Sequence, residues 1–247
     1  MDLPVATVWG FTLLLFRTTG LLLVAPLLGV RTVPAQVRLA LGLVVAFAVY
    51  AGAGAPPVPL PPTLLGLAAP AATETLTGVL GGLAARWALD AALAAGSLAG
   101  LSAGLGFSAL IDPTSGAQAN GLSEILSAGA QAAALALGIH REAIAWLARS
   151  AVAWPPGGAV DLRGLAARVV GQGIVAIALS IRLAFPVLAA VLLGHATMGV
   201  MNRMAPQLNL GNVGFSIAIL AGGLGLYLSA PTIAELTARA AVAAFQG

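Results

Sequence analysis

The sequence predicts an all-α integral membrane protein made of bent helical hairpins, with about six main hydrophobic helices of spanning length. Three observations carry that prediction. Of the 247 residues, 60% are hydrophobic and only 8% are charged, against roughly 25% charged in ordinary soluble domains; the mean hydropathy is +1.00. Stretches such as residues 12–28 and 37–55 hold about 20 mostly apolar residues, enough helix to cross a hydrocarbon core of about 30 Å. Clusters of proline and glycine cut the apolar sequence at intervals, which sets the number of helices.

In chain order, a first helix is expected near residues 8–29. The turn Val30-Arg31-Thr32-Val33-Pro34 returns the chain into a second helix near residues 35–53, making a hairpin. Pro56, Pro57, Pro59, Pro61 and Pro62 then forbid helix, because each ring fixes φ and removes an N–H donor. Residues 63–111 are almost continuously apolar and too long for one upright span, so two helices or one sharply bent helix are expected. Within them Gly96, Gly100 and Gly104 recur at every fourth position, baring one helix face so that another backbone can approach. Residues 107–121 are rich in Asp, Pro, Ser, Gly and Asn and read as a loop. An apolar helix near residues 122–139 follows, and Trp154-Pro155-Pro156-Gly157-Gly158 is a second clear break. The last third comprises a helix near residues 162–201 containing Pro186, a polar turn over 203–212, a span near 213–228, and Pro231 opening a terminal helix. The start, Met1-Asp2-Leu3-Pro4, lacks a basic region, so the first helix is expected to act as its own targeting signal.

Charge and residue chemistry exclude several function classes. There is no cysteine and hence no disulfide or thiolate site. The 11 basic residues are all arginine, scattered singly without interleaved aromatics, so no nucleic-acid partner is expected. His140 and His195 are the only histidines, and no carboxylate pair stands at ligand spacing with either; no metal and no cofactor is expected. The acids Glu74, Asp90, Asp112, Glu124, Glu142 and Asp161 fall on different elements, and no nucleophile elbow, phosphate loop or dinucleotide fingerprint occurs, so the chain is not expected to be an enzyme.

Glu74, Arg86 and Asp90 interrupt the apolar run 63–111, and the charges inside apolar segments that stand out are Arg17, Arg86 with Asp90 four residues on, and Arg182. Each costs at least a few kcal/mol in a membrane unless it faces protein, water or a partner. A structural ion pair or snorkelling near a helix end accounts for such charges without any further role. Arg182 precedes Pro186 by four residues; the proline removes the helical partner of the Arg182 carbonyl and is expected to bend the helix there.

Taken in order, Arg17, Ala25-Pro26-Leu27-Leu28-Gly29, Arg31-Thr32-Val33-Pro34-Ala35-Gln36-Val37-Arg38, Gly104-Leu105-Gly106-Phe107-Ser108-Ala109-Leu110-Ile111-Asp112-Pro113, Leu183-Ala184-Phe185-Pro186-Val187-Leu188, Asn202-Arg203-Met204-Ala205-Pro206-Gln207-Leu208-Asn209 and Gly214-Phe215 resemble the FliR family of flagellar biosynthetic proteins over nearly the whole chain. Ser97, Ser102, Gly211 and Ser216 depart from the family's usual residues. The resemblance implies one subunit of a hetero-oligomeric helical assembly with FliP and FliQ homologues, next to FlhA and FlhB homologues. That assembly is the type III export gate through which unfolded substrates leave the cytoplasm, in the bacterial inner membrane at the flagellar basal body. It implies that residues 1–154 pack like a FliP subunit and residues 159–247 like a FliQ hairpin, with Arg203, Pro206 and Gln207 at the hairpin turn. It also places a plug loop at Phe107, Leu110, Ile111, Asp112, Pro113, Thr114, Ser115 and Gly116, where residue chemistry alone reads an ordinary connector. A secondary transporter or permease subunit is the alternative reading, since it too would show broken helices and isolated intramembrane charges.

Overall fold

The computed structural model describes residues 3–26, 34–54, 57–103, 121–204 and 211–246. Every regular element among them is an α-helix: α1 (Leu3–Val24), α2 (Ala35–Ala53), α3 (Leu64–Ser102), α4 (Gly121–Ala136), α5 (Ile139–Ala153), α6 (Leu162–Met204) and α7 (Gly211–Ala244). Five of them are long and apolar enough to cross a membrane, and α4 with α5, bent by 63° at their junction, provides a sixth candidate span. At about 1.5 Å per residue, the 39-residue α3 and the 43-residue α6 run to roughly 60 Å, twice the hydrocarbon thickness.

Local chemistry sets the helix ends. Helix α1 stops at Val24 rather than near residue 29 because Pro26 disfavours helical backbone in the residue before it. Helix α2 begins directly after Pro34 and ends on Gly54, whose φ of 56° is the left-handed conformation that terminates helices. The Thr63 hydroxyl accepts the Gly66 N–H at the start of α3, and the Asp161 carboxylate accepts the Gly164 N–H at the start of α6. Both satisfy a donor that the first helical turn otherwise leaves open.

Proline and glycine act at three further points, two of them departures from the sequence expectation. Residues 64–102 form one helix although Pro70 lies inside it; the proline falls in the second turn, where a single carbonyl, that of Gly66, loses its helical donor. Pro231 likewise sits within a continuous α7 instead of opening a new helix. The helix expected over 122–139 is interrupted by Gly138 at φ 83°, and α5 starts on the far side.

The chain divides into two compact units. Unit 1 comprises residues 1–87, 135–173 and 240–247. Its core is built from Leu13, Leu14 and Leu21 of α1, Ala84 and Ala85 of α3, Leu147 of α5, Val169 of α6 and Phe245. Helix α2 packs on α1 and α5 through Gly42, Ala46 and Val49, while Leu39, Leu43, Val44 and Phe47 remain exposed. Unit 2 comprises residues 88–134 and 174–239. There Ala99 and Ala103 meet Val187 and Val191, flanked by Leu122 and Leu226. The buried faces are dominated by alanine. In lipid, where apolar surface gains nothing from leaving water, close backbone approach and van der Waals contact hold helices together, and small residues permit both.

Candidate functional site

A buried polar constellation lies in unit 1 around Arg17, a fully buried guanidinium and the one charge of α1. Its Nε donates to Glu74 Oε2 of α3 at 2.6 Å, its Nη1 to Ser150 Oγ of α5 at 3.2 Å, and its Nη2 to the Trp154 carbonyl at 2.9 Å. Glu74, only 1% exposed, uses its second oxygen to accept the Gly157 N–H at 2.9 Å. The Ser150 hydroxyl in turn donates to Leu147 O. Arg17 therefore engages all three guanidinium nitrogens and Glu74 both carboxylate oxygens, the condition under which a buried pair offsets much of its desolvation.

Glycine brings the two charges within reach. A methyl on Gly78, one turn beyond Glu74, would overlap the Arg17 carbonyl oxygen, and one on Gly20 would overlap the Thr75 carbonyl oxygen. On Gly82 it would sit 3.0 Å from Leu21 O. Helices α1 and α3 thus touch backbone to backbone along Gly78-x-x-x-Gly82, and the pair closes beside that contact. On the other side the turn after α5 is drawn in: Gly157, at φ 75°, points its N–H at Glu74, and a side chain there would press on Leu13 and Val58 at 3.1 Å. The arrangement holds four segments together at one point.

Further contacts pack unit 1. The Trp146 ring lies over Gly81, where no Cβ would fit, and packs at 6.5 Å on Phe245. Arg149 Nη2 donates to the Phe245 carbonyl at 2.6 Å, so the end of the chain is fastened to α5. Trp87 fills the matching space over Gly173.

The remaining sequence candidates are dispersed. Arg86 is exposed and Asp90 half-buried one turn apart on α3, and neither is without a partner. Gly96 and Gly100 are buried in unit 2; a Cβ on Gly96 would come within 2.6 Å of Ser123 Cα, so α4 crosses α3 there. Arg182 and Pro186 are exposed on α6 and Arg203 lies exposed in its last turn. His140 opens α5 and His195 lies on α6, both exposed. Gly104, the loop residues Phe107, Leu110, Ile111, Asp112, Pro113, Thr114, Ser115 and Gly116, and the turn residues Pro206 and Gln207 lie outside the described residues.

The acid opposite Arg17 was not singled out from the sequence. Its signal is one of matching: Arg17 is the one charge of α1 and Glu74 the one acid in α3 without an arginine four residues away, and opposite charges in apolar helices pair with one another.

Comparison with known proteins gives this architecture a family. Residues 8–243 match the family described as bacterial export proteins, family 1. The flagellar biosynthetic protein FliR of Escherichia coli K12 is 29% identical over 209 residues, covering 84% of this chain and 79% of that protein. The FliR of Pectobacterium carotovorum is 30% identical over 91% of this chain and 84% of its own length. That of Aquifex aeolicus is 30% identical over 94% and 90%. The chain belongs to bacterial export protein family 1, the FliR family, and is a membrane component of the flagellar export apparatus.

Proposed function

We propose that this chain is a structural and gating subunit of the export gate in the bacterial inner membrane, assembled with FliP and FliQ homologues beside FlhA and FlhB homologues. In that gate it helps to form the passage taken by unfolded substrates. The family match over residues 8–243 carries the reading. The exposed apolar faces agree with it: Val170, Ile174, Ile177, Phe185, Leu192 and Leu193 stand out along α6, a surface that needs lipid or protein neighbours. Residues 1–154 take the place of a FliP-like subunit and residues 159–247 that of a FliQ-like hairpin. The segment around Phe107, Leu110 and Ile111 is the plug that occludes the passage when no substrate is present, an apolar end followed by Asp112-Pro113 and the turn-forming Ser115-Gly116 and Asn120-Gly121 steps.

The test is co-expression with the FliP and FliQ homologues of the same organism. One stable complex containing all three is expected, along with loss of flagellar export when this chain is omitted. A folded, monodisperse monomer that moves a small solute when reconstituted alone would instead establish a transporter. Within the assembled complex, deleting residues 114–120 is expected to raise ion conductance across the membrane; a complex that forms normally and conducts no more than the parent removes the plug assignment.

A further inference from the structure

Residues 174–200 of helix α6 carry one arginine that nothing in the described structure answers. Residues 174–200 form about 40 Å of helix in which only Ser180, Arg182, His195 and Thr197 are polar. Ser180 and Thr197 return their hydroxyls to their own helix, at Ile177 O and Leu193 O. Arg182 is exposed, with exposed Phe185 three residues on along the same side of the helix, and has no hydrogen bond or ion pair with any described residue. Arg17, also a lone arginine in an apolar helix, is met by a carboxylate, a hydroxyl and a carbonyl.

A shaped surface adjoins it. Arg182, Pro186 and Ala190 are spaced by four and so share one helix face. Pro186 and Ala190 form one wall of an open, mostly apolar groove of about 550 Å³ whose other wall is Ala221, Leu224, Gly225 and Leu228 of α7. The floor is made of small residues; a Cβ on Gly225 would already rest 3.4 Å from Val187 Cα and Ala190 Cβ. Leu224 and Leu228 stand 62% and 68% exposed at its edge. The groove therefore admits bulky apolar side chains of an opposed helix, with the Arg182 cation one turn beyond its end.

We propose that this groove and Arg182 together are the docking site for an apolar membrane helix of another subunit that carries one aspartate or glutamate, its carboxylate meeting Arg182 and its large apolar side chains filling the groove. Charge complementarity selects the occupant. A guanidinium within an apolar stretch costs at least a few kcal/mol until an anion or water reaches it, and Arg182 lies about 12 Å inside the apolar stretch. A lipid phosphate stays at the interface, whereas a carboxylate on a second helix arrives at that depth with its own backbone satisfied. The inference rests on the hetero-oligomeric reading above and specifies one of its contacts.

The experiment uses the complete complex in native membranes, with a photo-cross-linking amino acid in place of Leu224. The expected product is a peptide from an apolar helix of a different subunit containing an Asp or Glu. Arg182→Gln and Arg182→Glu are expected to lower co-purification of that subunit on the order of tenfold or more, with this chain still present in the membrane. Arg182→Lys is expected to retain most of it, and placing Arg at the identified acid is expected to restore assembly of Arg182→Glu. Cross-links to phospholipid or to a second copy of this chain, wild-type co-purification of Arg182→Glu, or failure of the charge swap each overturn the proposal. If the unsubstituted chain forms no complex with FliP and FliQ homologues, the wider reading fails instead; a normal complex from the wild type and Arg182→Glu alike refutes this contact alone.

Discussion

Replacing Glu74 by Leu should destabilise the protein strongly. The substitution leaves the Arg17 guanidinium, at 0% exposure, facing only Ser150 Oγ and the Trp154 carbonyl, and removes the acceptor of the Gly157 N–H. Breaking a buried pair by removing one partner costs about 3–5 kcal/mol, and the part-buried Gly157 N–H loses its acceptor as well. Arg17→Met strands the carboxylate at a cost of about 3–5 kcal/mol by the same reasoning. The double variant Arg17→Met/Glu74→Leu removes both charges, replaces them with side chains of similar volume, and should cost only about 1–3 kcal/mol for the unpaired Trp154 carbonyl and Gly157 N–H. The coupling energy of the cycle is therefore about 3 kcal/mol or more. Thermal unfolding of the purified complex in detergent reads it out: at about 2–4 °C per kcal/mol, each single variant should lose roughly 10–15 °C and the double should recover most of that. A double variant as unstable as the sum of the singles would show that the two residues are not energetically one unit.

Other perturbations address the packing. Gly78→Ala should abolish accumulation of the folded chain in membranes, because the methyl meets the Arg17 backbone, whereas Gly52→Ala, with open space around it, should leave abundance unchanged; immunoblots of membrane fractions distinguish the two. Gly81→Ala drives a methyl into the Trp146 ring, and combining it with Trp146→Leu should restore part of the lost thermal stability if the clash is the cause. Phe245→Ala should cost about 3–5 kcal/mol by emptying its buried site, read as faster proteolysis near residue 246 in the purified complex.

Much of the helical framework was legible because breakers are local. Pro34 and Gly54 bound α2 where the sequence places it, and the long apolar run of α6 continues through Pro186 as the hydropathy pattern indicates. Helix α5 was not legible: it opens with His140, Arg141 and Glu142, so its apolar face is narrow, and the break ahead of it depends on the φ of one glycine. The site divides in the same way. A lone Arg17 is visible in the sequence, but its partners lie 57, 133 and 137 residues away, and no periodicity reports a pairing across such distances. The spacing of Gly96 and Gly100 announces a bare helix face, while the closest helix contact belongs to Gly20, Gly78 and Gly82, whose importance depends on which helix they meet.

Those sequence separations also set a schedule for biosynthesis. Arg17 enters the membrane in the first helix, yet Glu74 follows 57 residues later. At translation rates of about 5–20 residues per second, the arginine waits roughly 3–11 s for its counter-ion and longer for Ser150 and Trp154. During that interval the helix bears an unpaired charge worth about 2.5–3.5 kcal/mol at mid-span, enough to hold α1 shallow or beside the insertion machinery. Synthesis of α3 then releases it. Insertion of the first helix is in this sense conditional on the third, so that a nascent chain interrupted before Glu74 keeps a poorly seated first helix exposed to membrane quality control.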